Sequence, residues 1–183
     1  MTRVGSSLAL AVLVAWGVQS LAMVALAPLA ATLLGAAAGA AAVAALTRSM
    51  VVGGALALLA PFGVMLPALA LGAMAARLGV DLPGFSAVEL AVFLAGYTVF
   101  LLCAFGVIQV DLYRLGYAPG PVAGMVLGMC AYAGLTGHWG LAVVAVLGQV
   151  FWVMKWGSSN WFDYVLHLLL WPIAAVALVA SAF

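Results

Sequence analysis

Charge is what this sequence has least of. In 183 residues there are five Lys and Arg, four Asp and Glu, and a formal net charge of +1. A water-soluble domain carries roughly a quarter charged residues. At 5% charged, most of this surface has no means of being wetted, which excludes an ordinary soluble domain. The near-zero balance also excludes the electrostatic footprint of a nucleic-acid partner.

Cysteine is scarce too. Cys103 and Cys130 lie far apart inside apolar runs, with no C-x-x-C between them. A zinc site or redox dithiol is thereby excluded, and both read as small buried hydrophobes. There are no H-E-x-x-H, G-x-S-x-G or P-loop signatures. The acids are too few for a metal-dependent centre. The expectation is a chain that is not an enzyme, holds no metal and needs no cofactor of its own. Histidine supplies the test for haem. His138 and His167 are the two present, and the span count below puts them at opposite membrane depths, too far apart to share one haem.

What is abundant is apolar surface: 69% hydrophobic residues and a mean hydropathy of +1.37. The solvent for such a chain is lipid. Spanning segments must satisfy their backbone groups internally, and no short alternating strands are present, so helices are expected. Arg3 followed by an apolar run imitates a signal peptide. The run continues uncharged from Val4 to Thr47, far beyond a signal's apolar region, and reads instead as two retained crossings with a turn at Pro28.

About 20 apolar residues make one crossing. On that ruler the expected fold is an all-α polytopic transmembrane helix bundle in one domain, residues 1–183. Its spans lie near 4–26, 28–47, 50–76, 90–110, 119–136, 140–155 and 162–182. Seven spans place Arg3, Arg48, Arg114 and Lys155 on one side and Arg77, with Asp81 and Glu89, on the other. Basic residues collect in cytoplasmic loops, so the amino end faces the cytosol and the carboxyl end faces out. Six spans result if one short glycine-rich run is re-entrant. The expected location is the cell inner membrane, multi-pass. Trp139, Trp152, Trp156 and Trp161 fall at span ends, where amphipathic rings favour the headgroup layer.

Helix association in lipid relies on close contact between small residues. Gly35 and Gly39 form one G-x-x-x-G, and Gly120, Gly124 and Gly128 form two in series. They predict tight internal packing or a homodimer face; the alternative is room beside the backbone for a substrate. The expected partners are the bilayer and either a second copy or other membrane subunits.

Polar groups at membrane depth are costly and often functional. Glu89 and Asp111 flank the fourth span, with Arg114 at helical distance from Asp111. Asn160 reads as a helix N-cap that puts Asp163 in the first turn. His167 is four residues further, on the same face of a continuous helix, so Asp163 and His167 read either as cap and packing groups or as a proton relay. With Gln149 and Tyr132 they are the candidate pathway residues. Gln19, Thr32, Tyr97 and Gln109 are the other neutral polar groups within the spans.

The segment Gly106–Gly128 carries Arg114–Leu115–Gly116–Tyr117, then Pro119 and Pro121, then Leu127–Gly128. It resembles part of the large membrane subunit of tripartite tricarboxylate transporters. Asn160–Trp161 through Trp171–Pro172–Ile173 is similar to that family's last segment. Together the similar stretches cover about a quarter of the chain. The family's subunit is far longer, and its glycine-rich substrate loop has no counterpart here. The resemblance implies transport and brings no substrate residues with it. Two functions are therefore expected from this sequence: a small permease or permease subunit that moves a small solute across the inner membrane, or a non-catalytic integral subunit that scaffolds a larger membrane complex.

Overall fold

The computed structural model describes residues 2–46, 49–58 and 63–181. Those residues are all-α, with no strand among them. The helices are α1 (Thr2–Ala22), α2 (Pro28–Leu46), α3 (Met50–Leu58), α4 (Met65–Arg77), α5 (Ala87–Ala104), α6 (Pro119–Thr136), α7 (Trp139–Val153), α8 (Phe162–Val165) and α9 (Leu170–Ala180), with a 3₁₀ turn at Tyr113–Tyr117 before α6. Two of them, at Val4–Ala22 and Ala87–Ala104, are long and apolar enough to cross a membrane. The apolar stretches Pro28–Ala44, Met65–Arg77, Trp139–Val153 and Leu170–Ala180 are shorter. Among the described residues the helices at the other expected spans are thus shorter than a single straight crossing.

Local chemistry explains most boundaries. Pro28 opens α2, where its missing N–H and fixed φ cost nothing. Ser86 and Glu89 form a reciprocal capping box on α5, so this helix starts three residues before the expected Leu90. Gly106, at φ +75°, follows its end and supplies the positive φ that terminates it well before Val110. Pro119 opens α6 and Gly137, at φ +81°, closes it.

Two expected spans are interrupted. The 50–76 run is split into α3 and α4. The 162–182 run is split by Leu166, whose extended backbone (φ −97°, ψ 147°) ends the four-residue α8; α9 resumes at Leu170. The two interruptions touch. Val64 N–H donates to the Tyr164 carbonyl at 2.5 Å, and a Cβ on Gly63 would lie 3.5 Å from the Leu166 carbonyl oxygen and 3.6 Å from His167 Cβ.

Gly35 and Gly39 lie directly against α1. A Cβ on either would fall inside the carbonyl of Ala15 or Ala11, with the carbonyl carbons only 3.2 Å and 3.1 Å away. Close helix approach through small residues drives this pair. Among the described residues nothing lies within 4 Å of a Cβ built on Gly120, Gly124 or Gly128. The core is centred on Val122, Val144, Trp161, Phe162 and Val165, which gathers α6, α7 and α8 around one apolar knot.

Candidate functional site

Two polar clusters flank α6. The first lies beyond its N-terminal end. Asn160 is fully buried. Its Nδ2 donates to the Tyr113 carbonyl at 2.8 Å, and its Oδ1 accepts from the Phe162 N–H at 2.9 Å. This side chain staples the 3₁₀ turn to α8. Gly116 makes the staple possible, because a Cβ there would sit 2.7 Å from both Asn160 Cγ and Phe162 Cδ2. Trp161 N–H donates to the Gly116 carbonyl at 2.9 Å. Gly148 plays the same part on α7: a Cβ there would lie 2.6 Å from Val165 Cγ2.

Asp163 is held in this cluster. Tyr113 Oη donates to Oδ1 at 2.5 Å, and Ser158 Oγ donates to Oδ2. Burial, and then the bond to Asp163, push the Tyr113 phenol above its usual range. Ser158 in turn anchors Tyr164: its N–H donates to Tyr164 Oη at 2.7 Å, while that hydroxyl donates back to the Ser158 carbonyl at 2.8 Å.

The expected Asp163–His167 helix face is not present. Helix α8 stops at Val165, so the four-residue spacing has no helix to carry it. His167 lies in the break, where its Nδ1 accepts from the Leu169 N–H at 3.2 Å. Asn160 is not the formal cap of α8 either; Trp161 takes that position. Gln149, near the C-terminal end of α7, has a buried Oε1 with no hydrogen-bond partner among the described residues. Asp111 accepts from the Arg114 backbone N–H at 3.0 Å, in a turn rather than on a helix face.

The second cluster lies at the far end of α6. With about 1.5 Å of rise per residue, Tyr132 stands on the order of 20 Å along α6 from the 3₁₀ turn. Tyr132 therefore does not join Asp163. It donates to Glu89 Oε1. Glu89 Oε2 accepts from the Ser86 N–H at 2.6 Å and from Ser86 Oγ at 2.7 Å. His138 is buried beside them. Its ring is parallel to Phe85, with centroids 4.8 Å apart, and close to parallel with Tyr132 at 6.1 Å. His138 Nδ1 lies 3.7 Å from Glu89 Oε1.

His138 Nε2 lies 3.3 Å from the Gly84 carbonyl oxygen and Nδ1 lies 2.7 Å from Thr136 Oγ1. The Thr136 hydroxyl donates to the Tyr132 carbonyl at 2.8 Å. His138 and Glu89 are legible in the sequence as polar residues at the ends of apolar runs, but nothing in the sequence spacing joins residues from α5, α6 and the turn before α7.

A cleft of about 490 Å³ runs beside this cluster between α4, α5, α7 and α9, with Glu89 and Tyr132 at one end. Among the described residues, no set of His, Cys, Asp and Glu is arranged to hold a metal ion.

A third polar contact closes the bundle elsewhere. Arg77 Nη1 donates to Gln19 Oε1 at 3.1 Å and to Ser20 Oγ at 2.7 Å, and Gln19 Nε2 donates to Thr32 Oγ1 at 2.7 Å. Arg77 thus caps the α1–α2 pair; its bonds do not run to the nearby acids Asp81 and Glu89.

No protein-family model matches the chain, and no curated protein or solved structure does. Arg114–Tyr117 and Asn160–Trp161 meet in space through the Gly116–Asn160 contact.

Proposed function

We propose that this chain is a small multi-pass permease, or the membrane half of one, moving a small solute across the inner membrane. The observation that carries the reading is the meeting of two interrupted apolar segments, Gly63–Val64 against Tyr164–His167. Interrupted helices free backbone groups from the helical ladder. In lipid such groups are tolerated where protein or a water-filled cavity covers them. Paired interruptions are a recurrent marker of solute sites in secondary transporters. Here the freed Val64 N–H and Tyr164 carbonyl satisfy one another, and His167 sits in the same break.

The polar clusters at the two ends of α6 fit the two faces of a bilayer. The Asp163–Tyr113–Ser158 network belongs to the cytosolic face, with Arg114 and Lys155. The Glu89–Tyr132–His138 network belongs to the outer face. Counting α3–α4 and α8–α9 as one crossing each keeps seven passes, amino end in and carboxyl end out. The resemblance of Gly106–Gly128 to a transporter subunit supports the same reading.

A second reading has its own observation. Gly120, Gly124 and Gly128 line α6 with open space beside them, as a face for another membrane subunit or a second copy would. In that case the chain scaffolds a larger complex. Purified protein reconstituted alone in liposomes separates the two. A permease gives saturable solute flux that His167→Ala diminishes while the fold persists. Persistent co-purification with partner subunits and no flux alone would establish the scaffold.

A further inference from the structure

The permease reading leaves the solute unnamed, and the Glu89 cleft names its chemistry. Resting on that reading, we propose that the cleft between α4, α5, α7 and α9 takes a lipophilic cation, with Glu89 as its counter-ion. The walls are Met65, Leu69, Val92, Phe93, Leu141 and Ile173, with others like them. Glu89 is the one charged side chain among the residues lining it, and none of those residues is basic. The volume of about 490 Å³ is in the range of drug-sized ligand pockets, about 300–1,000 Å³.

The polar end is built for a positive head. Glu89 keeps about a quarter of its side chain exposed (24%). Its Oε2 is committed to Ser86. Its Oε1 faces the Tyr132 hydroxyl, a neutral donor on a half-exposed ring that also lines the cleft. His138 is not among the lining residues, and its contact to Glu89 is long at 3.7 Å. A cation entering the cleft meets Glu89 beside the Phe85 and Tyr132 rings that also line it, where aromatic quadrupoles favour positive charge. An anion would meet the Glu89 carboxylate and apolar walls, with the Tyr132 hydroxyl as its one neutral donor among the lining side chains.

Tetraphenylphosphonium and tetraphenylborate, matched in size and opposite in charge, form the test. Binding is measured by calorimetry on the full chain in detergent. Tetraphenylphosphonium should bind saturably, and Glu89→Gln should weaken it roughly tenfold or more, the loss of about 1.4 kcal/mol per decade. Gln at this position still serves the capping box, so the fold is kept. Glu89→Asp, which retains the charge, should retain most of the affinity. Equal binding of tetraphenylborate, or undiminished binding by Glu89→Gln, would overturn the proposal. Binding without flux in liposomes would leave the cation site standing and remove the permease reading; flux of another solute without tetraphenylphosphonium binding would do the reverse.

Discussion

Adding one methyl group at Gly39 is the sharpest perturbation of this fold. In Gly39→Ala the new Cβ falls inside the Ala11 carbonyl, with the carbonyl carbon at 3.1 Å and Ala15 Cβ at 3.3 Å. The obstacle is backbone, which no rotamer change relieves, so α1 and α2 must move apart. Overpacking of this kind costs about 1–3 kcal/mol. Alanine's better helix propensity returns about 0.8–1 kcal/mol. The balance runs from about zero to a loss of about 2 kcal/mol, and an obstacle made of backbone places Gly39→Ala at the costly end. Gly35→Ala meets the Ala15 carbonyl in the same way. One separation of the helices relieves both sites, so the double variant should lose less than the sum of the singles. Gly124→Ala is the internal control. Nothing lies within 4 Å of its Cβ, and it should be neutral or gain up to about 1 kcal/mol. Denaturant titration in detergent, followed by circular dichroism, reads all four proteins. A Gly39→Ala protein as stable as the parent would refute the close α1–α2 approach. A destabilised Gly124→Ala protein would instead place α6 in an interface with another chain.

Other residues give outcomes as definite. Asn160→Ala removes both bonds of the staple and leaves the Phe162 N–H unpaired, at about 1–3 kcal/mol for a buried group; Gly116→Ala should be at least as damaging, and chemical denaturation measures both. The Tyr113 phenol, held above the usual value of 10.0 by burial and Asp163, should stay protonated while exposed tyrosines ionise. A raised folded value favours the protonated state, so this contribution is complete below pH 10 and fades as pH climbs beyond it; ultraviolet titration against Tyr113→Phe isolates it.

Helix α2 was legible because proline at N1 and an alanine-rich apolar run leave no competing structure. The Gly35–Gly39 packing was legible because small residues four apart admit a neighbouring helix. The breaks were not. In the third run Pro67 lies within α4, and Pro61 falls among residues 59–62, outside those described. Leu166–Leu169 contains no proline or glycine, and its apolar composition suits a helix. The groups around α8 are engaged in tertiary contacts: Asn160 bonds to the 3₁₀ turn, Ser158 and Tyr164 bond to each other, and the Tyr164 carbonyl accepts from the Val64 N–H. Spacing therefore joined Asp163 to His167 across a helix the bundle does not build. The same limit hid the second cluster, because Glu89, Tyr132 and His138 come from three elements and no local periodicity relates them. The glycines of α6 show the converse: the motif at Gly120–Gly128 was plain to read, yet among the described residues nothing lies within 4 Å of a Cβ built on its glycines.

The account stands on the two ends of α6 lying at opposite membrane faces. Single cysteines at Asp81 and Lys155, in a background with Cys103 and Cys130 replaced by alanine, answer this directly with a membrane-impermeant thiol reagent. Intact cells should label position 81 and spare position 155, and inverted vesicles should do the opposite. Labelling of both positions from one side would contradict the arrangement and every assignment built on it.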